Sequence, residues 1–240
     1  MQLKTGNPLY HGKSKTLYET SEPEYCIAQF RDDITAFNAA KHEVLPNKGI
    51  INNFFNEFIM QKLTEGGVAN HFVSRLDVYH TIVKRLEMLP LECVVRNYAA
   101  GGLVKRYGLQ EGQLLDPPIF EFFLKDDILG DPLVNESHIL TFGWANSVEM
   151  AELQAITLQV NQILQPLFAS ARLMLVDYKL EFGRFQGRIC LGDEFTPDGC
   201  RIWDMDTKEK FDKDRFRLGL GQVLEYYRLA AQRLGINIPY

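Results

Sequence analysis

The chain has 240 residues, of which 46% are hydrophobic and 24% charged, and its formal net charge is −5 at pH 7. This length allows one large domain or two small ones, and the acidic balance argues against non-specific nucleic-acid binding, which depends on surplus Lys and Arg. The apolar runs are short and the four cysteines form no C-x-x-C pair, so we expect no signal peptide or membrane span, and buried free thiols in a cytoplasmic protein.

The chain begins with a predicted antiparallel meander. Residues 7–19 predict two strands joined at Gly12, and residues 25–30 predict a third. The turn Gly12-Lys13-Ser14-Lys15 lacks the spacing of a P-loop, but its two lysines could cover and neutralise a polyphosphate. A lysine pair at a strand end also fits a solvated turn, so this motif alone leaves both interpretations open.

One helix and one strand follow the meander. Apolar residues recur at helical spacing from Ile51 to Leu63, and Gly66-Gly67 ends the run. We interpret this helix as core packing and assign it no chemistry. His71 is expected to be a hydrogen-bonded core residue rather than a ligand. Residues 81–86 predict a strand, and residues 87–90 a connection into a second lobe.

The second lobe opens with a strand that leads into a pair of glycines. Residues 91–98 precede Gly101-Gly102 and a short predicted helix, an arrangement that places backbone N–H groups beside Arg96, where an anion could bind. Residues 125–132 predict an acidic loop.

Two further helices are predicted in this lobe. The first is long and amphipathic, with a cap at Asn146 or Ser147 and Glu149 available for a capping box. The second spans residues 216–234 and is stopped by Gly235.

Residues 175–183 carry the clearest chemical signal. Asp177, Lys179 and Glu181 alternate with apolar residues at the period of a strand, so the three charges share one face while their neighbours enter the core. Residues 183–187 predict a hairpin connection with a glycine at each end. The returning strand would bring Asp193 back toward the charged face.

Carboxylates that converge at one end of a hairpin indicate a cation between them. Mg²⁺ is held by one or two carboxylates together with substrate phosphates, and Glu181 and Asp193 could supply the carboxylates. The alternative is a surface strand whose alternate charges face water. The acidic second strand, followed by Asp198 and Arg201, favours the metal.

Taken together, these segments closely resemble the SAICAR synthetase family, the phosphoribosylaminoimidazole-succinocarboxamide synthases of purine biosynthesis. The resemblance covers nearly the whole chain. The matching segments are residues 12–15, 91–97, 176–183, 192–198, 201–204 and 212–217. The chain departs from the family at Gly101-Gly102, where the family usually has glycine-serine. A hydroxyl expected at the phosphate or imidazole site is therefore missing.

The resemblance implies an α+β fold of two lobes. Residues 1–88 would form an antiparallel lobe that resembles the small lobe of protein kinases and covers the nucleotide. Residues 89–240 would form a larger, ATP-grasp-like catalytic lobe of antiparallel sheet with flanking helices, with the nucleotide in the cleft between. The implied reaction joins the carboxylate of carboxyaminoimidazole ribonucleotide (CAIR) to the amine of L-aspartate, with ATP converted to ADP and phosphate, through an acyl phosphate.

The resemblance also implies roles for individual residues. The catalytic pair would be Asp177 and Lys179. The ATP site would comprise Lys13, Lys15, Lys84, Met88, Lys125, Glu181 and Asp193, with Mg²⁺ on Glu181 and Asp193. The CAIR site would comprise Arg96, Gly102, Asp198 and Arg201. Further candidate substrate contacts are Asp131, Lys213 and Arg217.

The sequence is also compatible with two rival functions. A small-molecule kinase could use the same charged strand. The order Asp177, Lys179, Glu181 and then Asp193 is similar to that of a kinase catalytic loop followed by a metal-binding aspartate. A regulatory module that binds nucleotide without turnover is the non-enzymatic alternative, and the missing serine gives it slight support. The small-molecule partners expected are ATP, CAIR and L-aspartate, with a homodimer as the assembly.

Overall fold

The computed structural model describes residues 4–239, which form a mixed α and β structure with two main antiparallel sheets. The first sheet has five strands, in the order β1-β2-β3-β7-β6, and β4 and β5 form a separate two-stranded ribbon. The strands of this part are β1 (Thr5–His11), β2 (Lys15–Thr20), β3 (Tyr25–Phe30), β4 (Asp33–Ala36), β5 (Lys41–Val44), β6 (Phe72–Arg75) and β7 (His80–Lys84). The predicted meander with its turn at Gly12 is confirmed.

The second sheet has six strands, in the order β10-β9-β8-β11-β12, with β13 also paired to β11. Its strands are β8 (Glu87–Tyr98), β9 (Leu114–Leu124), β10 (Leu133–Val134), β11 (Leu173–Phe185), β12 (Arg188–Gly192) and β13 (Cys200–Asp204). Strand β11 pairs with β8 along one edge. Its other edge pairs first with β13, up to Tyr178, and then with β12, from Glu181 onward. The 193–199 loop leaves the sheet at the gap between these two partners, beside Lys179, whose amide donates to the Gly199 carbonyl at 3.1 Å.

Six helices complete the described structure: α1 (Lys48–Glu65), α2 (Gly101–Tyr107), α3 (Glu136–Phe142), α4 (Ser147–Ser170), α5 (Asp214–Arg217) and α6 (Val223–Arg233). Helix α4 begins with the predicted capping box. The Asn146 side chain accepts from the Glu149 amide at 2.9 Å, and the Glu149 carboxylate accepts from the Asn146 amide at 3.0 Å. None of the described helices has the length and apolar character needed to cross a membrane.

One hydrophobic core joins α1, α4 and the second sheet. Phe55 and Ile59 of α1 and Phe168 of α4 are fully buried there with Tyr178 and Phe182 of β11. All four cysteines are buried and free, as predicted. Helix α1, in the first part of the chain, therefore packs against elements that come after residue 89.

The structure specifies one predicted connection and corrects one predicted helix. Residues 87–90, predicted as the connection into a second lobe, are the first residues of β8, which runs without interruption to Tyr98. The single helix predicted over residues 216–234 is two helices, α5 and α6. Gly219 and Gly221 separate them with φ angles of 69° and 71°, a left-handed conformation that a continuing α-helix excludes.

Candidate active-site cleft

The charged strand β11 has the predicted alternation. Tyr178, Leu180 and Phe182 point into the core with 1–3% of their surface exposed. Asp177, Lys179 and Glu181 lie on the opposite face, in register with Arg96, Val94 and Glu92 of β8. The alternation in the sequence therefore places Asp177, Lys179 and Glu181 in a row on one face of the sheet, which we call the charged wall.

The hairpin after β11 brings Asp193 to this wall, as predicted, although its turn is shorter than expected. The strand continues through Gly183 to Phe185, and the turn consists of Gln186 and Gly187, with φ angles of 51° and 77°. Glu181 pairs with Gly192, so Asp193 is the first residue beyond the strand. Its Oδ2 atom lies 3.8 Å from Lys179 Nζ.

Lysines and carboxylates alternate across this wall. Lys179 Nζ lies 2.7 Å from Glu181 Oε1 and 2.9 Å from Glu92 Oε1. Lys125 Nζ lies 3.5 Å from the same Glu92 oxygen. Lys15 reaches over from β2 to contact both Asp193 and Glu194. The first sheet therefore touches the charged face of the second through Lys15.

Burial and neighbouring charges separate the pKa values of these acids. Burial raises the pKa of Glu181, although Lys179 opposes it. The pKa of Asp193 is held well below its usual range because Lys15 and Lys179 outweigh the effect of burial. Burial and the adjacent Asp193 charge raise the pKa of Glu194 to about 7. The cluster thus holds one strongly ionised carboxylate at its centre.

Arg96 and Arg201 meet at Asp177. Their Nη1 atoms lie 2.9 and 2.8 Å from the same Asp177 oxygen, Oδ2. Arg96 also donates to Glu121 at 2.6 Å, and Arg201 to Asp214 at 2.7 Å. Asp177 therefore fixes two guanidinium groups side by side at the edge of the cleft.

The two glycines at the start of α2 have different surroundings. Gly101 has a φ of 54°, and a Cβ atom there would clash with the guanidinium group of Arg201. A Cβ atom at Gly102 would have no neighbour within 4 Å. The backbone therefore requires glycine at 101 but leaves room for a side chain at 102.

Two adjoining cavities lie over this charged surface. The larger has a volume of about 540 Å³ and the smaller about 140 Å³. Both are lined by Lys13, Lys125, Lys179, Asp198, Gly199 and Lys213. An apolar groove of about 890 Å³ beside α2 and β9 has no lysine or arginine in its lining, so it is a poorer match for a phosphorylated ligand.

Most of the sequence-predicted site residues line this cleft. The larger cavity adds Arg96, Gly102, Asp131, Asp177, Arg201 and Arg217 to the shared set, and the smaller adds Lys15, Glu181 and Asp193. Lys84 and Met88 are not among the lining residues that the structure describes. Lys84 donates to the Asn70 carbonyl at 3.0 Å, and the Met88 side chain lies over Gly192.

Helix α1 supports the cleft, contrary to its interpretation as packing alone. Asp198 Oδ2 lies 2.8 Å from Asn52 Nδ2 and 2.6 Å from Lys48 Nζ, and its Oδ1 accepts from the Tyr227 hydroxyl at 2.7 Å. One turn further, Asn56 accepts from the Phe195 amide at 3.0 Å. These polar residues of α1 recur at an i, i+4, i+8 spacing, a signal present in the sequence.

Sequence reasoning also missed Glu92, Glu121, Glu194 and Asp214, which are the carboxylate partners of the predicted cations. Glu92 and Arg96 alternate on one face of β8, which the sequence pattern could have shown. The pairing of β8 with β11, which brings Glu92 to Lys179, could not be predicted from that pattern.

Comparison with known proteins agrees with this geometry. The family model for SAICAR synthetase matches residues 8–234. A phosphoribosylaminoimidazole-succinocarboxamide synthase from a Psychrobacter species is 57% identical over 98% of this chain and 99% of its own length. This chain belongs to the SAICAR synthetase family.

Solved structures of SAICAR synthetases have the same fold. The crystal structure of the enzyme from Ehrlichia chaffeensis has a TM-score of 0.94 and 42% identity, and the match covers 96% of this chain and 99% of that one. A SAICAR synthetase in complex with ADP has a TM-score of 0.93 and 39% identity, with the same two coverages.

The donor set of the cleft fits the Mg²⁺ that the SAICAR synthetase family implies. The described residues contain no group of three or more His, Cys, Asp or Glu side chains arranged to hold a metal by themselves. Mg²⁺ does not need such a group, because it commonly takes one or two carboxylates, several waters and substrate phosphates. Glu181 and Asp193 both line the smaller cavity and interact electrostatically, with the Lys179 ammonium close to each.

Proposed function

We propose that this chain is an ATP-dependent ligase that joins the CAIR carboxylate to the amine of L-aspartate, forming SAICAR, ADP and phosphate in purine (IMP) biosynthesis. The observation that carries the proposal is the pair of adjoining cavities with a shared wall of lysines. Such a wall suits a phosphoryl group that passes between two anionic ligands, since each cation neutralises charge on both sides. The SAICAR synthetase whose structure was solved in complex with ADP supports ATP as the co-substrate.

The ATP phosphates belong in the smaller cavity. The Gly12 turn covers it, and Lys13 and Lys15 project from that turn. Glu181 and Asp193 would hold Mg²⁺ here, and the ion would supply charge neutralisation on the phosphates. Lys125 completes the basic lining. Lys84 and Met88, which lie outside the cavity lining, are proposed only as contacts of the more distant part of the nucleotide.

CAIR belongs in the larger cavity. Its ribose phosphate and carboxylate call for planar, permanently charged donors, and Arg96 and Arg201 stand there side by side. Asp177 is the positioning group for both. Gly102 and Asp198 border the same space, with Asp131, Lys213 and Arg217 as further substrate contacts.

The reaction requires activation of the CAIR carboxylate, which is a poor acyl donor. The carboxylate attacks the terminal phosphorus of ATP and ADP leaves, which gives an acyl phosphate. The aspartate amine then attacks the acyl carbon and phosphate departs. Lys179 lies at the junction of the two cavities, where it can neutralise the group in transit. This chemistry needs no protein nucleophile.

The two-lobe organisation is part of the same proposal. Residues 1–88 would act as a kinase-like cover over the nucleotide, and residues 89–240 as the catalytic part. Contact of Lys15 with Asp193 and Glu194 supports a cover of this kind. A homodimer in the cytoplasm is the proposed setting.

Product analysis tests the proposal. Purified chain, ATP and Mg²⁺ should release phosphate in steady state only when CAIR and L-aspartate are both present, with one SAICAR formed per phosphate. A small-molecule kinase would consume ATP and yield a phosphorylated product without aspartate. A module that only binds nucleotide would show no turnover in any combination.

A further inference from the structure

The cleft contains one lysine whose surroundings differ from those of its neighbours. Lys15, Lys125 and Lys179 each have carboxylate oxygens within ion-pair distance. Among the described residues, the Lys213 ammonium makes no hydrogen bond and no ion pair within 4 Å. Lys213 nevertheless lines both cavities, at the place where their ligands would meet.

The backbone fixes Lys213 at this junction. Its amide donates to the Pro197 carbonyl at 3.1 Å, which ties the start of α5 to the loop that carries Asp198. The next residue, Asp214, is bound by Arg201 and by Arg217. The Lys213 side chain is half-buried, so it can meet a ligand without being surrounded by bulk water.

Burial opposes the protonated form of Lys213, and the charges around it act in both directions. Burial lowers the pKa of Lys213 to about 8, with Arg217 and Lys48 acting in the same direction against the attraction of Asp198 and Glu194. Lys48 is also paired with Asp198, at 2.6 Å between Nζ and Oδ2, so it competes with Lys213 for that carboxylate. In contrast, nearby carboxylates raise the pKa of Lys179 well above its usual range in spite of burial.

We propose that Lys213 accepts the proton that the ammonium group of L-aspartate must lose before it can attack. This role rests on the proposed ligase function and adds a step that the carboxylate-activation chemistry leaves open. Neutral Lys213 takes one proton from the aspartate ammonium, and the freed amine forms the C–N bond at the acyl carbon. The C–O bond to phosphate then breaks, and the second amine proton leaves with the departing phosphate. The products are an amide N–H, inorganic phosphate and a protonated Lys213, which returns its proton to solvent.

A lysine suits this role when its pKa lies near the working pH, because the neutral form is then abundant and still basic. Nearby carboxylates hold Lys15, Lys125 and Lys179 in the charged form by raising their pKa values, so these lysines are suited to neutralising phosphates. The cleft therefore contains lysines that are ion-paired with carboxylates, such as Lys179, and one described lysine, Lys213, that has no such pair.

The test uses Lys213→Arg in the full chain, since arginine keeps the positive charge but does not release a proton in the working range. We expect kcat for SAICAR formation to fall by about 10²- to 10⁴-fold, the usual contribution of a general base, while KM for ATP and CAIR changes by less than about threefold. Lys62→Arg, at an exposed lysine paired with Glu65, is the matched control and should leave kcat unchanged. Lys213→Gln serves in its place if the arginine variant does not fold.

A pH profile distinguishes proton transfer from simple positioning. In the unaltered chain, kcat should rise with pH through about 8, the pKa of Lys213. Lys48→Met should move that rise to higher pH, because it removes a charge that disfavours protonated Lys213 and frees Asp198 to favour it. Aspartate-dependent kcat within tenfold of normal in Lys213→Arg, or a rise that does not move in Lys48→Met, would overturn the role. If the unaltered chain makes no SAICAR, the ligase function itself fails.

Discussion

Lys48 and Asp198 form a buried ion pair, and we expect substitutions at its two members to destabilise the protein by different amounts. Lys48 is fully buried, and Asp198 is the one acid paired with its ammonium in the described residues. Asp198→Asn therefore leaves a buried charge without a partner, which costs about 3–5 kcal/mol. Lys48→Met leaves Asp198 its hydrogen bonds from Asn52 and Tyr227, so the expected loss is about 1–3 kcal/mol.

Urea unfolding at pH 7, followed by circular dichroism, measures both losses. Each kcal/mol should also lower Tm by about 2–4 °C in a chain of this size. The double variant should be no less stable than Asp198→Asn alone, because it removes the stranded ammonium. Lys62→Met, at an exposed pair, is the control and should change stability by less than about 0.5 kcal/mol. Lys48→Met more destabilising than Asp198→Asn, or both below about 1 kcal/mol, would refute the assignment.

The pH dependence of stability gives a second measure of the same contact. Despite burial, Lys48 and the hydrogen bonds from its neighbours hold the pKa of Asp198 well below its usual range. The carboxylate therefore contributes stability fully above its unfolded pKa of about 3.9, and this contribution is lost as pH falls toward the lower folded pKa. Asp198→Asn should remove that part of the acid-induced loss, which urea midpoints measured from pH 7 down to pH 3 would show.

Three further predictions concern ligands. Glu181→Ala or Asp193→Ala should each abolish turnover while circular dichroism stays native, since either change removes a proposed Mg²⁺ ligand; near-normal activity in both would contradict the metal assignment. Lys15→Met should raise KM for ATP or slow phosphoryl transfer, because it removes a cation from the phosphate cavity; unchanged ATP kinetics would reduce that lysine to a structural partner of Asp193. Gly102→Ser should tighten CAIR binding by about two- to tenfold in calorimetric titrations, because the serine adds one hydrogen bond. Arg201→Ala should change the CAIR affinity by a larger factor, in the opposite direction. A larger change in Gly102→Ser than in Arg201→Ala would contradict the role proposed for Arg201.

The sequence predicted the local features of the site well because strand periodicity is a local signal. The alternation of Asp177, Lys179 and Glu181 fixed one charged face, and the glycine-containing turn brought Asp193 back to it. The sequence pattern predicts the turn too early, because it assigns Gly183 to the loop. In the structure it is a strand residue, where a Cβ atom would come within 2.8 Å of the Glu87 carbonyl oxygen.

The sequence does not predict which charged residues pair when they lie far apart in the chain. Glu92 meets Lys179 through the register of β8 and β11, and Lys48 meets Asp198 across 150 residues of chain. Neither contact leaves a local pattern that identifies its partner. The apolar spacing of α1 correctly predicts a core helix, but it gives no indication that Lys48 and Asn52 of the same helix bind Asp198.

Transfer of oxygen from CAIR to phosphate tests the central claim most directly. CAIR labelled with ¹⁸O in its carboxylate is incubated with the chain, ATP, Mg²⁺ and L-aspartate, and the released phosphate is examined by mass spectrometry. Activation through an acyl phosphate predicts one ¹⁸O atom in each phosphate and one in each SAICAR amide. Phosphate without label, or labelled phosphate formed at the same rate when aspartate is omitted, would contradict ligation by this route.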